Sequence, residues 1–477
     1  VVSDGLVAVV KRDCPTCRLV EPVLAGLGGT PGVTVFSQDD PAFPAGVADL
    51  HDDTELSTSL ELDIETVPTL VRFAGGVEVA RVVGWSRAQW AELTGVADIG
   101  AGLPEHRPGC GSRTLDPDVA EELLVRTRGG TLRSRRLEIS ALEDEAEALF
   151  DRGFTDGLPV VAPTPARVLR MLEGTSREPD EVVALIPPNL VPGTVEKIAV
   201  NAVLAGCRPE YLPVVLAAVE AACTDEFNAH GLLATTWAAG PAIVVNGPVR
   251  AEIGMNWAGN ALGQGNRANS TIGRALQLVI RNVGGGRPQE VDRAALGNPG
   301  KVGFCFAEDE EGSPFEPLAQ SRGVPVGRSA VTVFAAEGPR GVVDQISRRP
   351  ESLARSLALG LRGAAHPKLV QGFDATLVVC PEHARVFAEA GWDRARLAAA
   401  LDEALLLDRA EITRGAGGIE EGVPAGGSDR PLAKFRPGGL MIVHAGGGAG
   451  MFSSVIGGWA GGPGGSAPVT REVDPWR

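Results

Sequence analysis

The chain has 477 residues, a formal net charge of −16, 44% hydrophobic residues and 22% charged ones. That length allows two to four domains around a large core. The acidity excludes a non-specific nucleic-acid binder, which needs a basic surface against phosphates. No apolar run of the roughly 18 residues that a membrane helix requires is present, so no membrane association is expected. The opening residues, Val1 to Gly5, carry neither the basic nor the apolar region of a signal peptide. There are seven cysteines, and just one pair is closely spaced. That usage points to catalytic thiols in a reducing cytoplasm, not to a secreted disulfide scaffold.

In chain order, residues 6–11 read as a strand. Cys14-Pro15-Thr16-Cys17 follows and opens a helical pattern that runs to Leu27. Residues 33–37 read as a second strand. Residues 66–73 and 77–83 read as two more strands, joined by Gly75-Gly76, a hairpin signal. Residues 86–94 close the region as a helix. Residues 1–100 hold six Lys/Arg and fifteen Asp/Glu, so this first domain is acidic and suited to docking on a basic patch.

Residues 99–140 read as a connector, with Gly and Pro clusters, Cys110 and a basic run at Arg126, Arg128, Arg133, Arg135 and Arg136. We read that run as a solvated segment in preference to an anion site. From 141 to 477 helices and strands alternate, with a sub-boundary near 325. Helices are predicted over 196–204, 212–223, 269–282, 384–391 and 395–406. Strands are predicted over 242–246, 330–335, 376–380 and 440–444. The fold class is therefore α/β: a small domain at 1–98 followed by a large α/β (or α+β) catalytic body.

A C-x-x-C between a strand and a helix has a mechanism. The first thiol sits at the helix N-terminus, where free amides and the macrodipole favour thiolate. Cys14 is thus the attacking thiol, and Cys17, one turn on, resolves the mixed disulfide. The alternative, half of a zinc site, lacks a second C-x-x-C or an H-x-x-x-H. No metal ligands are assigned. The expected redox group is a Cys14–Cys17 disulfide, with no further cofactor.

With Val67-Pro68-Thr69 and Gly84-Trp85, residues 1–98 resemble the thioredoxin family. The resemblance implies a thioredoxin-like fold in which Pro68 is cis, faces the disulfide, shapes the groove for a substrate thiol and keeps metals out. One position departs from that pattern. Asp13 stands where thioredoxins usually carry Trp. Its carboxylate is expected to raise the Cys14 pKa and to favour a dedicated partner.

In the body, Cys207 ends a helix beside Arg208, and Cys305 lies between two phenylalanines. Both are candidate reactive thiols, set against the plain reading of a buried small hydrophobe. Glu308, heading an acidic run, is the candidate acid/base. The stretch 263–271 is a glycine-rich loop entering a helix, where backbone amides bind anions. Asn266, Arg267 and Asn269 are its candidate substrate-binding side chains, together with His230. Gly447 and Gly448 follow a strand and permit close backbone approach to a ligand or a second subunit.

Asp156-Gly157-Leu158-Pro159, the stretch from Ala205 to Tyr211, Pro381-Glu382-His383-Ala384 and Pro468-Val469-Thr470-Arg471 resemble an uncharacterised bacterial family associated with small cysteine- or selenocysteine-containing proteins. That resemblance implies a thiol or selenol context and no particular reaction. The expected function is a thiol-dependent oxidoreductase whose redox module serves a body acting on a small, anionic substrate. The alternatives are a sulfur-transfer or carbon–sulfur bond enzyme with Cys14 as sulfur carrier, and a binding scaffold with a docking thioredoxin fold. The expected partners are the small-molecule substrate, an external thiol reductant and a second copy of the chain.

Overall fold

The computed structural model describes residues 4–27, 33–140, 142–462 and 464–475. It is α/β throughout and divides into two units, Val1–Gly130 and Thr131–Arg477.

In the first unit, strand β1 (Gly5–Val10) is buried at every position but its first. A strand with no solvent face belongs in the middle of a sheet. Helix α1 (Pro15–Leu27) starts on a proline, whose missing N–H costs nothing at that position. It turns Val20, Val23, Leu24 and Leu27 inward. Strand β2 (Val33–Ser37) pairs parallel with β1, and β3 (Leu50–Asp52) pairs parallel with β2. After the short helix α2 (Ser57–Glu61) come β4 (Thr66–Val67), β5 (Thr69–Ala74) and β6 (Val77–Val83). The central sheet has the order β3-β2-β1-β5-β6, with β5 and β6 antiparallel. Gly75 and Gly76 have φ of 61° and 75°, as a two-residue hairpin turn with both central residues left-handed requires. The strand predicted over 66–73 is split in two. Val67–Pro68 is cis, and proline has no N–H to continue a ladder.

Strand β7 (Trp85–Ser86) and helix α3 (Arg87–Thr94) follow. Residues 99–130, part of the predicted connector, lie within this first unit. They form β8 (His106–Arg107), β9 (Cys110–Gly111) and α4 (Pro117–Arg128). β8 pairs with β7, and β9 pairs antiparallel with β4, so that Cys110 faces Val67. Polar side chains fasten this strap on both sides of Cys110. Thr16 Oγ1 donates to Pro108 O at 2.7 Å. Trp85 Nε1 donates to Pro104 O at 2.7 Å. Gln38 Nε2 donates to Ser112 Oγ at 2.7 Å. Thr114 Oγ1 donates to Ile64 O at 2.7 Å. The strap was missed in the sequence because its pairings are two residues long and carry no hydrophobic period.

The second unit holds two four-stranded sheets. In the first, Gly240–Asn246 pairs parallel with Cys305–Ala307 and antiparallel with Ala330–Ala336, which pairs with Val469–Glu472. In the second, Phe373–Val379 pairs parallel with Leu440–His444 and antiparallel with Phe452–Ala460, which pairs with Pro339–Val343. Both sheets thus carry one parallel pair and two further antiparallel strands. Helices Val195–Ala205, Leu212–Ala222 and Arg267–Asn282 pack on the first sheet through one continuous core. Helices Pro350–Arg362, Pro381–Glu389 and Arg394–Ala404 pack on the second. No described helix is long and apolar enough to cross a membrane.

The strap generates a stability prediction. A Cβ on Gly109 would lie 2.7 Å from Val67 O and closer still to Thr66 Cγ2, whereas one on Gly111 meets nothing within 4 Å. Gly109→Ala should cost about 1–3 kcal/mol by overpacking, and Gly111→Ala should be near neutral. Urea unfolding of the two variants checks this.

Candidate functional site

Cys14 immediately precedes α1 and is buried with Cys17 in the core of the first unit. The Cys17 amide N–H points at Cys14 Sγ at 3.3 Å. Cys110 Sγ lies 2.9 Å from Cys14 Sγ, placed there by the β4–β9 pairing. The Cys17 thiol hydrogen bond is the strongest influence on Cys14 and favours its thiolate. Burial opposes it, and the Cys110 thiol and the amides of Cys17 and Thr16 assist it. The outcome is a Cys14 pKa lowered to about 5. Cys17 moves the other way, because burial and donation to Cys14 keep it protonated. Cys110 is also pushed up, first by burial and then by its bond to Cys14. One sulfur therefore carries the charge and two thiols serve it. Pro68 is cis beside this group, as the resemblance implies.

The expectation that Asp13 raises the Cys14 pKa is not met. Its side chain is 93% exposed, 3.8 Å from Arg18, and the groups that shift Cys14 are its thiol and amide neighbours. Its backbone N–H donates to Asp39 Oδ2 at 2.8 Å.

In the second unit, Glu308 follows strand Cys305–Ala307 and is fully buried. It accepts from Asn246 Nδ2 and from the Leu318 amide, each at 2.7 Å, and pairs with Arg394 at 3.2 Å. Burial raises its pKa, while Arg394 and these donors hold it down. His444, at the end of the other parallel pair, donates from Nδ1 to Val379 O at 2.9 Å. Its Nε2 has no hydrogen-bond partner and lies 3.7 Å from Asp309 Oδ2. Burial lowers the His444 pKa, so its neutral form leaves Nε2 as a base. The carboxyl ends of the two parallel pairs are thus joined, with Asp309 N donating to His444 O at 2.8 Å. Arg250, 2% exposed, closes the cluster. It donates to Glu308 O at 2.6 Å, pairs with Glu311 at 2.8 Å and stacks on Trp257.

The other predicted residues have separate places. Asn266 caps helix Arg267–Asn282 through the Asn269 amide. Asn269 is buried and donates to the carbonyls of Asn256 and Ala261. Arg267 is exposed and donates from Nε to Gly206 O at 2.9 Å. These side chains close the loop before the helix. Gly447 meets the same loop, since a Cβ there would lie 3.1 Å from Gly259 Cα, while Gly448 is exposed. His230 is exposed on the short helix Ala229–Ala234. Cys207 and Cys305 are buried. Burial pushes the Cys207 thiol up to about 12 and raises Cys305 as well.

Sequence reasoning passed over three features. Cys110 falls in the predicted connector. Cys380 precedes helix Pro381–Glu389, and its thiolate is favoured by a bond with His383, in spite of burial. His383 is oriented by Ser453 Oγ at 2.7 Å and Asp344 O at 2.9 Å. The spacing Cys380-x-x-His383 was the available signal, since N-cap and third helical residue face each other. The third feature is a cavity of about 650 Å³, walled by Leu137, Leu149, Phe154, Val168 and Leu204 with Asn201 at its side. Among the described residues, no group of three His, Cys, Asp or Glu side chains is arranged to hold a metal.

No family model matches the chain, the four motif stretches of the second unit included. No curated protein matches it either. Among solved structures it is similar to thioredoxin O2 from Arabidopsis thaliana in the oxidised state, with 26% identity over 19% of this chain and 71% of that one, at a TM-score of 0.15. Strand order, the Cys14–Cys17 motif and the cis Pro68 together make the first unit thioredoxin-like.

Two outcomes follow from these environments. Alkylation of reduced Cys14 should rise through about pH 5 and be flat above it, whereas an ordinary thiol titrates near pH ~8.5. Rates of iodoacetamide labelling, resolved by peptide mass, check this. Arg394→Met leaves Glu308 buried without its counter-charge and should cost about 3–5 kcal/mol near neutral pH. A carboxyl whose folded pKa lies above its unfolded one destabilises the fold as pH rises through the unfolded value. Removing Arg394 raises Glu308 further, so the deficit should shrink as pH falls. Urea unfolding at about pH 5 and about pH 8 measures that difference.

Proposed function

We infer that the protein is a thiol–disulfide oxidoreductase in which the thioredoxin-like module serves the large α/β unit. The observation that carries this reading is the division of labour at the cysteines. Cys14 is a thiolate at neutral pH, while burial keeps Cys17 protonated. A thiolate attacks a disulfide sulfur, and a neighbouring thiol then displaces it. The covalent tether raises the effective concentration of the module at the large unit.

The large unit acts on a small molecule. Support for this comes from its cavity of about 650 Å³ and from the buried Glu308–His444–Arg250 cluster at its strand ends. Glu308 and His444 are buried with displaced pKa values, and such groups are where proton-transfer chemistry concentrates.

Equilibration in glutathione buffers of graded potential, followed by acid quenching and thiol labelling, tests the redox assignment. Wild-type protein should lose two labelled thiols together, with the slope of a two-electron couple. Cys14→Ser should form no disulfide within the module, so that Cys17 stays labelled. Full labelling of the wild type across the same buffers would overturn the assignment.

A further inference from the structure

Cys110 is placed with more care than a connector residue needs. Its strand, β9, fills the hydrogen-bonding edge of β4 next to Pro68. An added strand at a sheet edge is the way extended partners are held; here the chain supplies the strand itself. Gly109 lets the backbone approach, because a Cβ there would run into Thr66 and Val67. Gly84, at φ 76°, does the same from the other side, since its Cβ would lie 2.9 Å from Gly109 N. The result is a sulfur–sulfur separation of 2.9 Å between Cys14 and Cys110. Closing to the roughly 2.05 Å of a disulfide needs a shift of about 1 Å. Cys14 and Cys17 are buried, whereas Cys110 is partly exposed.

We propose that Cys110 is a third redox-active thiol of the module, which forms a disulfide with Cys14 and relays exchange between the buried pair and external thiols. The proposal rests on the thiol–disulfide reading above. Starting from the Cys14–Cys17 disulfide, the Cys110 thiol gives up its proton and attacks Cys14 Sγ. The Cys14–Cys110 bond forms, the Cys14–Cys17 bond breaks, and Cys17 leaves with the electron pair and takes a proton. An external low-molecular-weight thiolate then attacks Cys110 Sγ at its exposed side. Cys14 leaves as the thiolate, its stable form, and the external group is left on Cys110. A second external thiol displaces that group. In sum, two external thiols are oxidised to one disulfide, and the Cys14–Cys17 disulfide is reduced to two thiols. Run backwards, the same steps carry electrons outward. The Cys14 thiolate is a good leaving group because leaving-group rates rise as thiol pKa falls.

Two variants of the full chain test this. Cys17→Ser, held in oxidised glutathione, should yield a Cys14–Cys110 disulfide, seen as one cross-linked pair of peptides. Cys110→Ser should still form the Cys14–Cys17 disulfide, but its reduction by glutathione should slow about tenfold or more. Cys110→Ala repeats the rate measurement, and urea unfolding of both variants shows that the strap is still docked. Both results together support the relay. It is overturned if Cys17→Ser instead carries glutathione on Cys14 with Cys110 free, or if exchange in both Cys110 variants matches the wild type. A failure of the underlying reading is distinguishable, since Cys14 would then be reduced and unmodified in every variant, wild type included.

Discussion

Everything in the first unit depends on stabilising negative charge on one buried sulfur. A thiolate withdrawn from water is costly unless donors replace its hydration. Cys14 has the thiols of Cys17 and Cys110 and the amides of Thr16 and Cys17 around it. Those amides are free because they begin α1 and have no carbonyl four residues back. The thiols are there because α1 brings Cys17 round one turn and because β9 pairs with β4. Helix start and strap thus meet at one sulfur.

The second unit meets a similar demand differently. Its two sheets each end a parallel strand pair on a titratable residue, Glu308 in one and His444 in the other. The carboxyl ends of parallel strands are the usual place for ligands in open α/β sheets. Here those ends are joined by hydrogen bonds through Asp309 and His444. Arg250 and Arg394 supply positive charge from elements outside the strands. The motif Asp156-Gly157-Leu158-Pro159 has a framework role by comparison. Asp156 takes Arg274 in a two-pronged pair at 2.7 Å, tying the loop to helix Arg267–Asn282.

Much of this was legible in the sequence, and the reasons are local. Cys14-Pro15-Thr16-Cys17 sits between an apolar run and a helical period, so strand, helix and chemistry could be read together. Gly75-Gly76 announced its hairpin through backbone preference alone. The strap was illegible because two-residue pairings depend on partners some forty residues away, at Thr66 and Val67. Asp13 was misjudged because sequence proximity does not say which way a side chain points; it reaches solvent, while Cys14 turns inward. Cys207 and Cys305 stood out by composition, yet burial alone decides their protonation. Cys380 was overlooked although His383 follows at a spacing that brings the two together. Glu308 was legible as the first carboxylate after a strand, but its partners Asn246, Arg394 and His444 come from three distant segments.

The central claim is that Cys14 is the hub of the redox chemistry. Disulfide mapping by mass spectrometry across a glutathione titration tests it most directly. Each disulfide formed within the first unit should contain Cys14, joined to Cys17 or to Cys110. A Cys17–Cys110 bond, or no disulfide at Cys14 anywhere in the titration, would contradict the account.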